Sequence, residues 1–308
     1  MQVTQLEWII TLSVTIAVLL FDVVVIGRRP HEPSKRELVV ALTIYIGLAV
    51  GFGLWTWFYH GSQYGLEFFA GWLTEYSLSV DNLFIFLIIM ASFKVPKMFQ
   101  QQALLVGIIL ALVFRGIFIA LGAAAINQFS WIFYLFGVFL IYTAVQLARH
   151  GEDDEEDYKE NAVIRFAKRR FPASSEYNGV KLTIVQNGKR MITPMAIVII
   201  ALGTTDLLFA LDSIPAIYGL TQEPFLVFTA NVFALMGLRQ LYFLLGDMLR
   251  RLVYLSVGLS VVLAFIGVKL VLHAMHENEL SFINGGKHIE WAPEFPIWLS
   301  LGFIVVTL

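Results

Sequence analysis

Long apolar runs separated by short polar stretches repeat along the whole chain. A helix needs about 20 apolar residues to cross the hydrocarbon core of a bilayer. Nine runs approach or reach that length, so the pattern predicts an all-α fold, a polytopic bundle of transmembrane helices. The last run ends while it is still apolar, which predicts a truncated ninth span. The predicted spans are residues 6–26, 38–58, 68–92, 102–126, 130–148, 193–218, 225–246, 252–273 and 295–308.

The composition supports a membrane protein. Of the 308 residues, 58% are hydrophobic and 14% are charged, whereas soluble domains are about 25% charged. The chain has no cysteine, which excludes disulfides and thiolate metal sites. It has no basic stripe with interleaved aromatic residues outside its loops, so we expect the lipid bilayer as a partner and no nucleic acid.

The basic residues predict the orientation in a cell (plasma) membrane. Lys and Arg concentrate in short cytoplasmic loops, and here they follow the first, third and seventh predicted spans. The pattern predicts an N-terminus outside the cell and a cytoplasmic segment 149–191, with Lys287 as the exception. The basic residues concerned are Arg28, Arg29, Lys35, Arg36, Lys94, Lys97, Arg250 and Arg251.

Two of the apolar runs contain acidic residues, which hydrocarbon disfavours. Glu75 and Asp81 lie in the third predicted span, and Asp206 and Asp212 lie in the sixth. The second pair follows the first after 131 positions, with the same spacing. A charged residue at the centre of a membrane helix costs about 2.5–3.5 kcal/mol on insertion scales. Intramembrane acids are therefore functional candidates.

The similarity between the two runs extends to the helices that follow them. Arg115 recurs as Arg239, so the third to fifth spans match the sixth to eighth. Because three is an odd number, the second copy enters the membrane from the opposite side, which predicts an inverted repeat with ion sites near the midplane. The predicted segments are 1–67 (two N-terminal spans), 68–150 (first repeat), 151–191 (cytoplasmic linker), 192–274 (second repeat) and 275–308 (outer loop and last span).

The spacing of the acids decides which of them could share a ligand. Six helical residues separate two side chains by about 9 Å along the axis and about 120° around it. Two acids on one helix therefore do not form a ligand shell alone. We expect Asp81 and Asp212 to meet across the repeat near the midplane, with Glu75 and Asp206 as relay positions.

Neutral oxygens lie beside each aspartate. Asn82 and Ser213 directly follow the two aspartates, and Pro215 frees the carbonyl group of Leu211. Asn231 in the seventh span would add another oxygen, with a hydrogen bond between helices as the alternative. Oxygen-only ligands suit hard divalent cations such as Mn²⁺, Ca²⁺ or Mg²⁺.

Buried ion pairs are the alternative explanation for these charges. In that case Asp81 and Asp212 would pair with Arg115 and Arg239 and hold the bundle together. The four acids outnumber the two arginines, so negative charge remains for a cation unless some acids are protonated. We therefore predict that the two arginines are counter-charges that stabilise the site when no cation is bound.

Three segments are similar to those of a known family. Residues 75–84 and 206–217 resemble the two signature motifs of the TerC family of integral membrane proteins, and residues 229–239 resemble the segment that follows. The family is named for tellurium resistance and resembles the LysE-type exporter superfamily. The resemblance implies manganese export, and in some settings a supply of metal to exported enzymes. It also implies a cation site made of Asp81, Asp212, Glu75, Asn82 and Asp206.

One position departs from the family pattern. Many TerC proteins carry a Glu three positions before the acid that matches Asp206, where this chain has Gly203. If that Glu is a ligand or a proton relay in other members, this chain has one carboxylate fewer, which bears on proton coupling and metal preference.

Taken together, the sequence predicts a divalent cation transporter, a Mn²⁺ exporter, and no enzyme. No cofactor is expected besides the transported ion, Mn²⁺ with Ca²⁺ as the alternative. The rival hypothesis is a membrane scaffold or metalation partner that contacts exported metalloproteins or the secretion machinery. An intramembrane aspartyl protease also needs two Asp residues, but the Gly-x-Gly-Asp pattern expected of it is absent.

Overall fold

The computed structural model describes residues 1–28, 33–129, 131–150, 164–165, 174, 177–186, 189–246, 255–280, 283–289, 291–293 and 295–308. Its first five helices are α1 (Gln5–Arg28), α2 (Lys35–His60), α3 (Ser62–Ser92), α4 (Lys97–Gln128) and α5 (Ile132–His150). A hairpin follows, made of β1 (Thr183–Gln186) and β2 (Lys189–Ile192). The remaining helices are α6 (Pro194–Tyr218), α7 (Pro224–Met236), α8 (Leu238–Leu245), α9 (Leu255–His276) and α10 (Ile297–Thr307).

The helices confirm the predicted fold class. Eight of the nine predicted spans each fall on one helix and the seventh falls on two, and within the described residues seven helical segments are long and apolar enough to cross a membrane. Two shorter apolar segments, Gln5–Val18 and Ile297–Thr307, accompany them. The protein is therefore a helical transmembrane bundle, while the number of spans and the inverted repeat remain predictions.

Local sequence signals explain where several helices begin. The side chain of Thr193 accepts a hydrogen bond from the Ala196 amide at 3.2 Å, and Pro194 occupies the first turn of α6, where its missing N–H costs nothing. Pro224 opens α7 in the same way. Gly61 separates α2 from α3 with φ 117 and ψ 156. Residues that have a Cβ atom rarely adopt this conformation, whereas glycine adopts it readily.

The seventh predicted span is interrupted, which the sequence prediction did not include. Helix α7 ends at Met236 and α8 begins at Leu238, with Gly237 between them. Glycine weakens a helix interior by about 1 kcal/mol relative to alanine, so the break falls at the weakest point. Arg239 follows it directly.

A small hairpin lies within the end of the predicted linker, in a chain predicted to be all-α. Strands β1 and β2 are antiparallel, and Thr183 pairs with Ile192. Nearby, the Tyr177 hydroxyl donates a 2.7 Å hydrogen bond to the Phe93 carbonyl at the end of α3, and burial raises the pKa of that hydroxyl. The linker is thus attached to the bundle. The acidic run 152–157 and the basic residues Arg29, Arg250 and Arg251 lie outside the described residues.

Helix α3 is central to the packing of the bundle. It contacts α2, α6, α7 and α10, while α4 packs along α6 and α5 packs along α9. Leu83, Ile89 and Leu104 lie in the largest apolar cluster, together with Val198 and Leu202 of α6. This arrangement brings the acid-bearing helices α3 and α6 against each other.

Helices α5 and α9 approach each other at glycines. A Cβ atom at Gly267 would lie 2.9 Å from the Gly137 carbonyl oxygen and 3.1 Å from the Ile141 amide nitrogen. Both contacts are to backbone atoms, which cannot rotate away. Close backbone approach at small residues is typical of helix pairs in membranes.

Replacing Gly267 by alanine should therefore separate α5 from α9 and lower the free energy of unfolding by about 1–3 kcal/mol. The measurement is thermal unfolding of the purified protein in lipid nanodiscs. Gly116→Ala in α4 is the matched control, because its Cβ would meet nothing within 4 Å. Equal stability of the two variants would contradict the close approach.

Candidate metal-binding site

One arginine joins the acids of two other helices inside the bundle. The Arg115 Nε atom donates to Asp206 Oδ2 and its Nη2 atom donates to Asp206 Oδ1, each at 3.1 Å. The Arg115 Nη1 atom contacts Glu75 Oε1. Exposure is 0% for Glu75 and 1% for the two others. The structure thus links α3, α4 and α6 through a cluster that we call the Arg115 cluster.

The charges of the Arg115 cluster do not balance. Two carboxylates share one guanidinium group, so the cluster carries one net negative charge when all three groups are ionised. The bidentate geometry toward Asp206 is the strongest arrangement available to an arginine–carboxylate pair. Arg115 was predicted as a counter-charge, and its pairing with two acids fits that role. The alternative in which it pairs with Asp81 or Asp212 is wrong for this arginine.

The other two acids of the motifs are less buried. Asp81 on α3 is half-buried, and the Ser256 hydroxyl of α9 donates to its Oδ1 atom at 3.4 Å. Asp212 on α6 is also half-buried, next to the exposed Leu211. These two carboxylates therefore lie outside the Arg115 cluster, and their predicted meeting near the midplane remains a prediction. Asn82, beside Asp81, is buried with 5% exposure.

Several buried oxygen-bearing groups have no hydrogen-bond partner in the protein. Within the described residues they include the Ser213 hydroxyl and both amide atoms of Asn231. The hydroxyls of Thr74 and Ser79 on α3 share this property. A buried polar group without a partner costs about 1–3 kcal/mol, and native proteins keep such groups rare. The oxygen atoms of these four side chains are therefore available to bind a cation or a water molecule.

Helix geometry places some of these groups near the Arg115 cluster. Ser213 follows Asp206 by seven residues, which is two turns, so both lie on one face of α6. A Cβ atom at Gly71 would lie 3.5 Å from the Ala230 Cβ atom. Since Gly71 precedes Glu75 by one turn, the asparagine that follows Ala230 lies within about one turn of the cluster.

The second predicted arginine lies in another environment. Arg239 has 9% exposure and lines a cavity of about 860 Å³ between α1, α2 and α8. When the Gln240 side-chain amide is oriented so that its nitrogen donates to the Met236 carbonyl oxygen, the Gln240 oxygen accepts a 2.8 Å hydrogen bond from Arg239 Nη2. Its predicted role as counter-charge to the midplane acids remains a prediction.

The acids and neutral oxygen groups described above could serve as ligands of a hard cation, but they do not form a preformed site of three or more acidic or histidine ligands. In the described parts of the chain, no three His, Asp or Glu side chains converge as metal ligands. Gly203 has room for a side chain, because its Cβ would lie 3.4 Å from Leu110 Cδ1, an ordinary contact. The backbone therefore tolerates a Cβ atom at this position, one turn from Asp206.

Sequence reasoning missed Glu67, a nearly buried acid on α3 with 8% exposure. The predicted third span began one residue after it, so it was treated as part of a loop. Its spacing was a usable signal, since Glu67, Gly71 and Glu75 follow one another at steps of four and share one helix face.

Comparisons with known proteins give related membrane proteins. Over 292 residues the chain is 49% identical to an uncharacterized membrane protein of Mycobacterium tuberculosis (strain CDC 1551 / Oshkosh), covering 94% of this chain and 74% of that protein. It is 39% identical over 242 residues to the chloroplastic thylakoid membrane protein TERC of Arabidopsis thaliana, and the match covers 79% of this chain and 63% of that protein. A protein of Photorhabdus laumondii named as a candidate membrane-bound redox modulator, Alx, is 36% identical over 263 residues, covering 82% of each chain.

The family comparison extends over most of the chain. No solved structure gives a significant match. Residues 60–308 match the model of the integral membrane protein TerC family. This range includes both acidic motifs and every member of the Arg115 cluster. The predicted relation to LysE-type exporters is a separate matter and remains a prediction. The chain belongs to the TerC family of integral membrane proteins.

Proposed function

We propose that this chain transports divalent metal cations across the membrane, with Mn²⁺ as the main substrate and export as the direction. Asp81 and Asp212 bind the ion in this proposal, supported by Glu75, Asn82 and Asp206. The observation that carries it is the Arg115 cluster, in which two buried carboxylates share one guanidinium group. Such charges inside a membrane bundle are costly and mark ion pathways.

Arg115 acts in this proposal as an internal substitute for the cation. It leaves one negative charge on the cluster, whereas a divalent cation would neutralise both Glu75 and Asp206. In this proposal an ion bound by Asp81 and Asp212 also takes oxygens of the supporting residues Glu75 and Asp206, and it therefore competes with the Arg115 guanidinium group for those oxygens. Because the three residues come from α3, α4 and α6, the exchange would shift these helices relative to one another. A ligand that binds one arrangement more tightly favours that arrangement.

The ligand chemistry supports a hard cation. Carboxylate, amide and hydroxyl oxygens favour Mn²⁺, Mg²⁺ and Ca²⁺ over softer metals. Asn231 and Ser213 provide neutral oxygens without protein partners. Mg²⁺ gives up its waters reluctantly, so it should be transported less well than Mn²⁺. The proposal includes the orientation from the basic loops, with the N-terminus outside and residues 149–191 in the cytoplasm, in the plasma membrane.

The second candidate function is a scaffold or metalation partner for exported proteins. It is favoured by the pairing in the Arg115 cluster, since ion pairs that join three helices would stabilise a bundle that transports nothing. One relative carries the name of a candidate redox modulator. This chain has no cysteine, so its own residues provide no thiol chemistry.

Reconstitution separates the two candidates. Purified protein in liposomes that contain a Mn²⁺-sensitive dye should give Mn²⁺ flux well above that of protein-free liposomes. Parallel measurements with Ca²⁺, Mg²⁺ and Zn²⁺ across a pH series should rank the ions and reveal any proton coupling. Absence of flux for every ion, with folded and correctly inserted protein, would reject transport and favour the scaffold.

A further inference from the structure

A polar cavity lies at the end of the bundle where α3 begins and α6 and α9 end. Its volume is about 370 Å³. We call it the Glu67 cavity. The polar side chains that line it include Gln63, Tyr64, Glu67, Thr221, Lys269 and His273. The Arg115 cluster is made of other residues, so the cavity is a separate feature.

The carboxylate of Glu67 is held in place by neutral donors. The Thr221 hydroxyl donates to Glu67 Oε2 at 2.6 Å, and the Gln63 side-chain amide donates to Oε1 at 3.0 Å. Thr221 is buried with 4% exposure and Glu67 with 8%. The carboxylate is thus positioned while its charge is not neutralised by either donor.

The cavity also contains a lysine. Lys269 of α9 lines the cavity together with Glu67. Among the described residues it forms no ion pair within 4.0 Å. Glu223, also in the cavity wall, contacts the amino group of Met1. Tyr64, Tyr218 and His273 also line the wall. The His273 Nε2 atom lies 2.8 Å from the Gln222 side-chain nitrogen and 3.6 Å from Glu277 Oε2.

The cavity and the Arg115 cluster lie on the same face of α3. Glu67, Gly71 and Glu75 follow at steps of four residues, which places the two acids about 12 Å apart along the helix. Between them, a Cβ at Gly71 would lie 3.5 Å from Ile217 Cγ2 and 3.5 Å from Ala230 Cβ. Apolar side chains of α6 and α7 therefore approach α3 between the two polar levels.

We propose that the Glu67 cavity is a second, weaker binding site for a hydrated divalent cation, through which the ion passes between the Arg115 cluster and one face of the membrane. This inference rests on the proposed function and adds a place to its pathway. Glu67 and Thr221 are the ligands. Lys269 lowers the affinity of the cavity for the cation by like-charge repulsion, so that the ion dissociates rapidly. The layer of Ile217 and Ala230 is the barrier that must open between the two sites.

Mn²⁺ titration of the full chain in nanodiscs of uncharged lipid, with free Mn²⁺ followed by electron paramagnetic resonance, tests the cavity. The wild-type protein should show a tighter and a weaker class of sites. Glu67→Gln should raise the Kd of the weaker class about tenfold or more, because a carboxylate ligand is lost, and Lys269→Met should lower it about tenfold. Thr221→Val, which removes a single neutral ligand, should raise it by a smaller factor.

Control variants distinguish a failure of the cavity proposal from a failure of the proposed function. Glu279→Gln removes an exposed acid at the same end that does not line the cavity, and it should leave both classes unchanged. Asp212→Asn should weaken the tighter class and leave the weaker one. Unchanged weak binding in both Glu67→Gln and Lys269→Met would overturn the cavity proposal alone. Unchanged tight binding in Asp212→Asn would instead overturn the mid-bundle site.

Discussion

Replacing Arg115 by methionine should lower the free energy of unfolding by about 3–5 kcal/mol, the usual cost of removing one partner from a buried ion pair. The reason is that Glu75 and Asp206, exposed by 0% and 1%, would face each other without a positive charge. The stability of Arg115→Lys should lie between that of the wild type and that of Arg115→Met, because a lysine keeps the positive charge but cannot form the bidentate contact. Chemical unfolding in detergent, followed by tryptophan fluorescence, measures the change.

Two further variants show whether charge causes the loss. The triple variant Glu75→Gln, Arg115→Met and Asp206→Asn removes all three charges and should recover a large part of the stability. Arg190→Met, at an exposed position of β2, should change little. An Arg115→Met protein as stable as the wild type would show that the cluster does not hold the acids together.

Asp81→Asn and Asp212→Asn should each reduce Mn²⁺ flux on the order of 100-fold, which corresponds to about 2.7 kcal/mol of lost binding free energy. Asparagine keeps the shape and one oxygen but removes the charge that holds a divalent ion. Because both positions are half-buried and lie outside the Arg115 cluster, folding should be preserved. The measurement is initial flux in proteoliposomes, normalised to the amount of inserted protein.

The matched control for these variants is Glu279→Gln, an exposed acid just after α9 that should leave flux unchanged. Thermal unfolding of each variant confirms that the protein is intact. If both aspartate variants keep wild-type flux, these residues are not the cation ligands. If only one keeps it, the symmetric role of the two motifs is wrong.

The helices were predictable because burial in hydrocarbon requires long apolar runs. Eight of the nine predicted ranges each fall on one helix, and caps such as Thr193 with Pro194 fix where one of them begins. The break at Gly237 was harder to predict, since an isolated glycine inside a helical pattern is usually tolerated. The hairpin 183–192 was missed although the pair Asn187-Gly188, a typical hairpin signal, lies within its sequence.

The site residues and the counter-charge role of Arg115 stay predictions. The sequence singled out the intramembrane acids and Arg115 from the cost of charge in a membrane, and the structure pairs Arg115 with two of those acids. Which acids the arginine contacts depends on the rotation and depth of α3, α4 and α6, and a single sequence does not determine these. Glu67 was missed because a span boundary drawn from hydropathy fell at Phe68.

Locating bound Mn²⁺ directly tests the central claim, that the carboxylates of α3 and α6 hold the transported ion. Crystals of the protein grown with Mn²⁺ would be measured at the manganese absorption edge, and anomalous difference density would reveal the ion. We predict a peak between α3 and α6 at coordination distance from the carboxylates of Asp81 and Asp212. A fully occupied peak elsewhere, or no peak in the bundle at saturating Mn²⁺, would contradict the account.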